Sequence, residues 1–168
     1  MSFKKQHTKK IAFTALMSSL AVCMSLFTLP FLFGVNIHLF QVAILIAAAG
    51  GGPISGIITG LFGGIYMASM RGDVTIIIGN GLIGLFAGFL IRKFRPMIAG
   101  PLSWFLIQMP WIYIIDTYFY RFPSVVVETI LTVLTVEILI SSLIVDVLMF
   151  RFGFKQWVLK KLDIEVSS

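Results

Sequence analysis

VVVETILTVLTVEILISSLIVDVLMF, residues Val125–Phe150, is apolar except for scattered hydroxyls and three acids, Glu128, Glu137 and Asp146. A helix that crosses the roughly 30 Å of bilayer hydrocarbon needs about 20 such residues, and a helix apolar on every side has no partner surface in a small soluble domain. Working outward, the same pattern recurs at Ile11–Phe33, Ile37–Gly50, Ile54–Met70, Val74–Ile91 and Met97–Ile115. The second run is short, and Gly50-Gly51-Gly52-Pro53 is its natural stop, because glycine and proline break a helix and permit a tight reversal. These runs predict an all-α membrane protein, a six-transmembrane-helix bundle forming one domain over residues 1–168.

Composition agrees. Of 168 residues 58% are apolar and 12% charged, with a mean hydropathy of +1.01. A chain of this size cannot hide that much apolar surface from water, so its solvent is lipid. The formal charge of +6 does not indicate nucleic acid, because the cations sit in short flanks between apolar runs. If the chain starts in the cytoplasm, Lys4, Lys5, Lys9, Lys10, Arg92, Lys93, Arg95, Arg151, Lys155, Lys160 and Lys161 lie inside, and of the 13 basic residues only Arg71 and Arg121 lie outside. That asymmetry predicts an even number of spans, both termini cytoplasmic, in an inner or plasma membrane. The apolar run after the basic N-terminus is too long for a signal peptide and reads as a retained helix. The segment from Leu159 to Glu165 reads as a short amphipathic or frayed tail. Cys23, the single cysteine, lies in the first run and excludes an internal disulfide or a cysteine metal cluster.

In lipid, helices associate where small residues let backbones approach. Gly56, Gly60, Gly63 and Gly64 in the third run, and Gly84 and Gly88 in the fourth, form such faces, best read as packing within the bundle. In the first run Thr8, Ala12, Ala15, Ser19 and Cys23 fall on one narrow stripe. An unpartnered stripe there, centred on Ala12, Ala15 and Ser19, is a candidate docking face for another membrane protein.

Ionised groups inside a membrane are costly and should face protein or water. Glu128 and Glu137 are half a turn out of phase at about 100° per residue; Glu128, near the end of its helix, reads as facing an outer cavity and Glu137 the other side. Asp146 reads as pairing with Arg92, Lys93 or Arg151. Other polar and aromatic groups gather at the outer ends: Asn36, His38 and Gln41; Arg71, Asp73 and Asn80; Gln108, Trp111, Asp116, Tyr118 and Tyr120. Pro110 removes a backbone donor and breaks the helix beside Trp111, and a break, an amide and an indole together suggest a ligand wall. No nucleophile elbow, phosphate loop or zinc-binding spacing is present, and His7 and His38 cannot form a metal site, so the chain reads as a non-enzyme without metal.

The order of these features, the small-residue helix IAFTALMSSLAVCMS, the reversal GGGPISG, the loop MRGD and the segment IIIGNGLIGLFAGFLIRKF, resembles the S component, the substrate-binding membrane subunit of energy-coupling factor (ECF) transporters. The resemblance implies an outward pocket walled by Asn80, Gln108, Trp111 and Glu128, with Asp73 and Asp116 from loops and Asn36 or His38 near a lid. It implies capture of a water-soluble vitamin or precursor, and docking of Ala12, Ala15 and Ser19 on a transmembrane coupling (T) subunit. Two cytoplasmic ATPases would use the ATP, and this chain would bind no cofactor. The rival readings are a structural or assembly protein of the envelope without a ligand, and a self-sufficient channel or carrier. The last is disfavoured because the inner half offers few polar groups.

Overall fold

The computed structural model describes residues 2–30 and 36–162. Its elements are α1 (Ser2–Leu26), β1 (Thr28–Pro30), β2 (Asn36–His38), α2 (Phe40–Gly51), α3 (Pro53–Arg71) and α4 (Thr75–Leu90). After these come α5 (Pro96–Phe119) and α6 (Ser124–Arg151), then α7 (Phe154–Leu162). The six helices before α7 alternate in direction, and β1 pairs antiparallel with β2 between α1 and α2.

Among the described residues, four helical stretches are long and apolar enough to cross a membrane: Gln6–Leu26, Pro53–Arg71, Pro96–Phe119 and Ser124–Arg151. This corrects the expected six spans. At 1.5 Å per residue, the 12 residues of α2 rise about 18 Å and the 16 of α4 about 24 Å, both short of the hydrocarbon thickness. The first run also ends early: α1 stops at Leu26 and the chain turns into β1, while the expected end at Phe33 lies outside the described residues. The tail from Leu159 is helical to Leu162, its remainder again outside them.

α2 is buried along nearly its whole length, from Phe40 to Ala48, which is why its sequence carries no polar face. It touches α1, α3, α4 and α6. α3 and α4 pack antiparallel at backbone distance. A methyl at Gly56 would fall on the Gly84 carbonyl, one at Gly60 on the Asn80 carbonyl, and one at Gly88 2.5 Å from Pro53 Cα. α1 runs alongside α3, joined by hydroxyl pairs: Thr14 Oγ1 to Ser55 Oγ at 2.6 Å and Ser18 Oγ to Thr59 Oγ1 at 3.4 Å.

The two ends of the bundle differ in charge. At one, Lys10 and Arg92 line a common groove, Arg95 pairs with Asp146, and Val158 of α7 packs beside Phe13 and Gly50. Asp146 thus finds Arg95 rather than the expected Arg92, Lys93 or Arg151, because Arg95 immediately precedes α5, whose first turns lie against the end of α6. At the other end sit Asp73, Asp116, Arg71, His38 and Tyr120. The expected small-residue stripe of α1 is uncovered: Ala12, Ala15, Ser19 and Cys23 are exposed, and Thr14, Met17, Ser18 and Ala21 face inward.

Candidate functional site

α5 is not a uniform α-helix. Trp104–Gln108 and Ile115–Phe119 are π-helical turns, in which one extra residue widens the helix. The Met109 amide reaches back to the Trp104 carbonyl and the Tyr120 amide to that of Ile115 at 3.0 Å. Each turn brings one polar side chain into the bundle, Gln108 from the first and Asp116 from the second, both buried while their neighbours Leu106 and Ile114 face outward. Opposite them, Gly79 of α4 leaves room for the indole of Trp111: a methyl there would lie 3.1 Å from Trp111 Cδ1.

Between these residues, α2, α3 and α6 lies a cavity of about 60 Å³, lined by His38, Gln41, Arg71, Asp73, Asn80, Gln108, Trp111, Asp116 and Glu137 together with Phe40 and other apolar groups. Three of the wall's hydrogen-bond donors are turned inward on the protein. Asn80 Nδ2 donates to the Ile76 carbonyl at 2.9 Å, Gln108 Nε2 to Asn80 Oδ1 at 3.3 Å, and Trp111 Nε1 to the Thr75 carbonyl at 3.2 Å. His38 Nδ1 lies 3.2 Å from the Ser25 carbonyl.

The acceptors are not used up in the same way. Gln41 Oε1, Gln108 Oε1, Asp116 Oδ2 and Glu137 Oε1 are buried without a hydrogen-bond partner, on residues that are 1%, 3%, 2% and 0% exposed. Asp116 Oδ2 has only Arg71 Nη2 at 3.8 Å, an ion pair too long for a hydrogen bond. Glu137 Oε2 accepts the His38 amide at 3.4 Å. Buried polar groups ordinarily find partners, so four open acceptors round one cavity are unusual.

The cavity is closed at the end of the bundle by the α3–α4 turn. Gly72 takes a left-handed φ of 67°, and Asp73 Oδ1 accepts the Thr75 amide at 2.8 Å and the Tyr120 hydroxyl at 2.9 Å. The Asp73 bond, with desolvation after it, pushes the Tyr120 phenol above its ordinary pKa. Burial lowers the His38 imidazole pKa, against the opposing bond to Ser25, so His38 favours its neutral form.

Of the residues expected in the site, the cavity gathers His38, Asp73, Asn80, Gln108, Trp111 and Asp116. Two lie elsewhere. Glu128 is exposed on α6 and Asn36 is exposed on β2, and neither lines the cavity. The half-turn separating Glu128 from Glu137 holds, with the faces exchanged: Glu137 is the inward one. Gln41, Arg71 and Glu137 complete the wall. Glu137 carries a readable signal, since it is an acid deep in an apolar run that lipid cannot satisfy, and Gln41 sits near the start of its run beside His38.

Helical architecture and apolar surface together define a multi-pass membrane protein. Residues 1–150 match the family described as 5TMR of 5TMR-LYT, a five-transmembrane-helix family of the LytS-type sensor kinase. The chain belongs to that family. No curated protein and no solved structure matches it. The membership overturns the resemblance to an ECF S component, and a five-helix family also overturns the expected six spans and their even number. The glycine-rich segments that carried it are accounted for by the close contact of α3 with α4, which any tightly packed membrane bundle can use. The coupling subunit, the ATPases and the vitamin were implied by that resemblance alone and lose their support with it.

Proposed function

We propose that this chain is a ligand-sensing membrane domain that takes a small polar molecule into the cavity between α2, α3, α4, α5 and α6. The carrying observation is the set of four buried, unpartnered acceptor oxygens that surround the cavity. Leaving a buried acceptor unmade costs about 1–3 kcal/mol, and a ligand that donates to these atoms recovers that cost. Family membership supports the sensory side of the reading. The lysines and arginines at the opposite end favour the cytoplasm for that end, so the cavity end faces outward. α6 supplies Glu137 to the cavity and Asp146 to the Arg95 clamp, which makes it the element through which occupancy at one end is felt at the other.

The test is thermal unfolding of the purified chain in detergent against a panel of small polar compounds, cationic, neutral and anionic. A compound at about 100 times its dissociation constant adds roughly 2.7 kcal/mol. Stabilisation by one class that is lost in Gln108→Leu is the expected result. Absence of any shift across the panel overturns the reading. A second reading, an assembly protein without a ligand, draws on the uncovered face of Ala12, Ala15 and Ser19, and it predicts that empty panel together with cross-links from Ser19→Cys to another membrane protein.

A further inference from the structure

We infer that the cavity's ligand is a compact organic cation bearing N–H donors, a primary ammonium or a guanidinium of about four to six non-hydrogen atoms. This rests on the ligand-sensing reading and names the chemistry of the same site.

Three observations converge. The first is polarity: the side-chain donors of Asn80, Gln108 and Trp111 go to protein carbonyls or to one another, whereas four acceptor oxygens of the wall stay open. A molecule that offers only acceptors leaves those four oxygens open; one that offers several donors completes them. The second is charge. Asp73, Asp116 and Glu137 line the cavity against one fixed cation, Arg71. Arg71 keeps a third of its side chain exposed, at 32%, and stands 3.8 Å from Asp116 without a hydrogen bond between them. A cation that enters gains charge-assisted bonds in a buried site, where such bonds are stronger than in bulk water. The third is size. A water needs roughly 10–15 Å³ of such volume, so the cavity of about 60 Å³ accommodates a molecule of a few heavy atoms. The faces of Trp111 and Phe40 on the wall suit a planar or methylated cation as well.

The experiment uses the full chain in detergent, at fixed ionic strength, with guanidinium, n-propylammonium and n-butylammonium chlorides at low millimolar concentration. Urea serves as the neutral isostere of guanidinium, acetate as an anion of like size, and tetramethylammonium as a cation without N–H donors. The expected result is saturable thermal stabilisation by at least one donor-bearing cation. Its apparent affinity should fall about tenfold or more in Glu137→Gln and in Asp116→Asn, which is roughly 1.4 kcal/mol per factor of ten. Gln108→Met, which keeps the side chain's length but loses the bond to Asn80, should show a smaller cation-induced shift measured from its own ligand-free melting temperature, and it covers the case where a carboxyl variant fails to fold. Equal stabilisation by urea, acetate or tetramethylammonium overturns the inference and leaves a ligand site of other chemistry, as does a cation response that all variants retain. Silence of these compounds alongside a response to another class has the same meaning, and silence of every class overturns the sensory reading too.

Discussion

α6 carries two buried acids nine residues apart, and the protein treats them in opposite ways. Asp146 accepts Arg95 Nη2 at 2.8 Å, Arg95 Nε at 3.2 Å and the Met97 amide at 3.4 Å. Its carboxylate is saturated and ties the end of α6 to the start of α5. Glu137, equally enclosed, accepts one backbone amide at 3.4 Å and leaves its other oxygen open. One acid serves the architecture, and the other is held in reserve beside a cavity. Burial alone therefore does not tell these two acids apart; the count of protein partners does.

The contrast is broken most severely by separating the frame that holds both ends. Gly56→Leu drives a side chain into the backbone of α4 and should cost about 3 kcal/mol or more, seen as loss of monodisperse protein on size-exclusion chromatography. Next comes Asp146→Ala, which strands Arg95. It should cost about 1–2 kcal/mol because Arg95 is already 59% exposed, and a lower melting temperature that is itself less sensitive to salt would show it. Glu137→Gln sharpens the comparison: with so few partners to lose, it should shift stability by less than about 1 kcal/mol while altering the response to cations. A loss as large as that of Asp146→Ala would place both acids in one structural class.

A smaller effect comes from pH. His38 has a folded-state pKa below its ordinary 6.5, so below that pH the unfolded chain binds the extra proton first. Stability is then full above about 6.5 and declines as the pH falls through 6.5 toward the folded value. Melting curves between pH 7.5 and about 5 should show a decline that His38→Gln flattens. The smallest effect belongs to Ala15→Trp on the uncovered face of α1, within about 0.5 kcal/mol, checked by the same melting assay.

Much of the helical frame was legible because apolar run length and glycine-proline punctuation are strong signals. The pattern placed the third run at Ile54–Met70 and the structure has Pro53–Arg71; for the last, Val125–Phe150 became Ser124–Arg151. Span count was less legible, since hydropathy does not reveal that α2 is enclosed by other helices and therefore free to be short. The polar cluster was partly readable from the rule that lipid satisfies no amide or acid, which pointed to Asn80 and Gln108, whereas Asp116, expected from a loop, lies within α5. Phase was the weak point. Helical periodicity fixes that Glu128 and Glu137 oppose one another, but both flanks of α6 are so apolar that nothing in the run itself says which faces protein.

The π-helical turns of α5 have an evolutionary side. Each amounts to a single inserted residue stored within a continuous helix, so removing one residue from Trp104–Gln108 would let the helix relax to ordinary α geometry without severing it. Everything beyond would rotate by about 100° relative to α4 and α6, carrying Trp111 and Asp116 off the cavity. A one-codon deletion here would leave a foldable helix with a rewritten cavity wall, and this makes the segment a natural place for relatives to differ in the lining of the cavity.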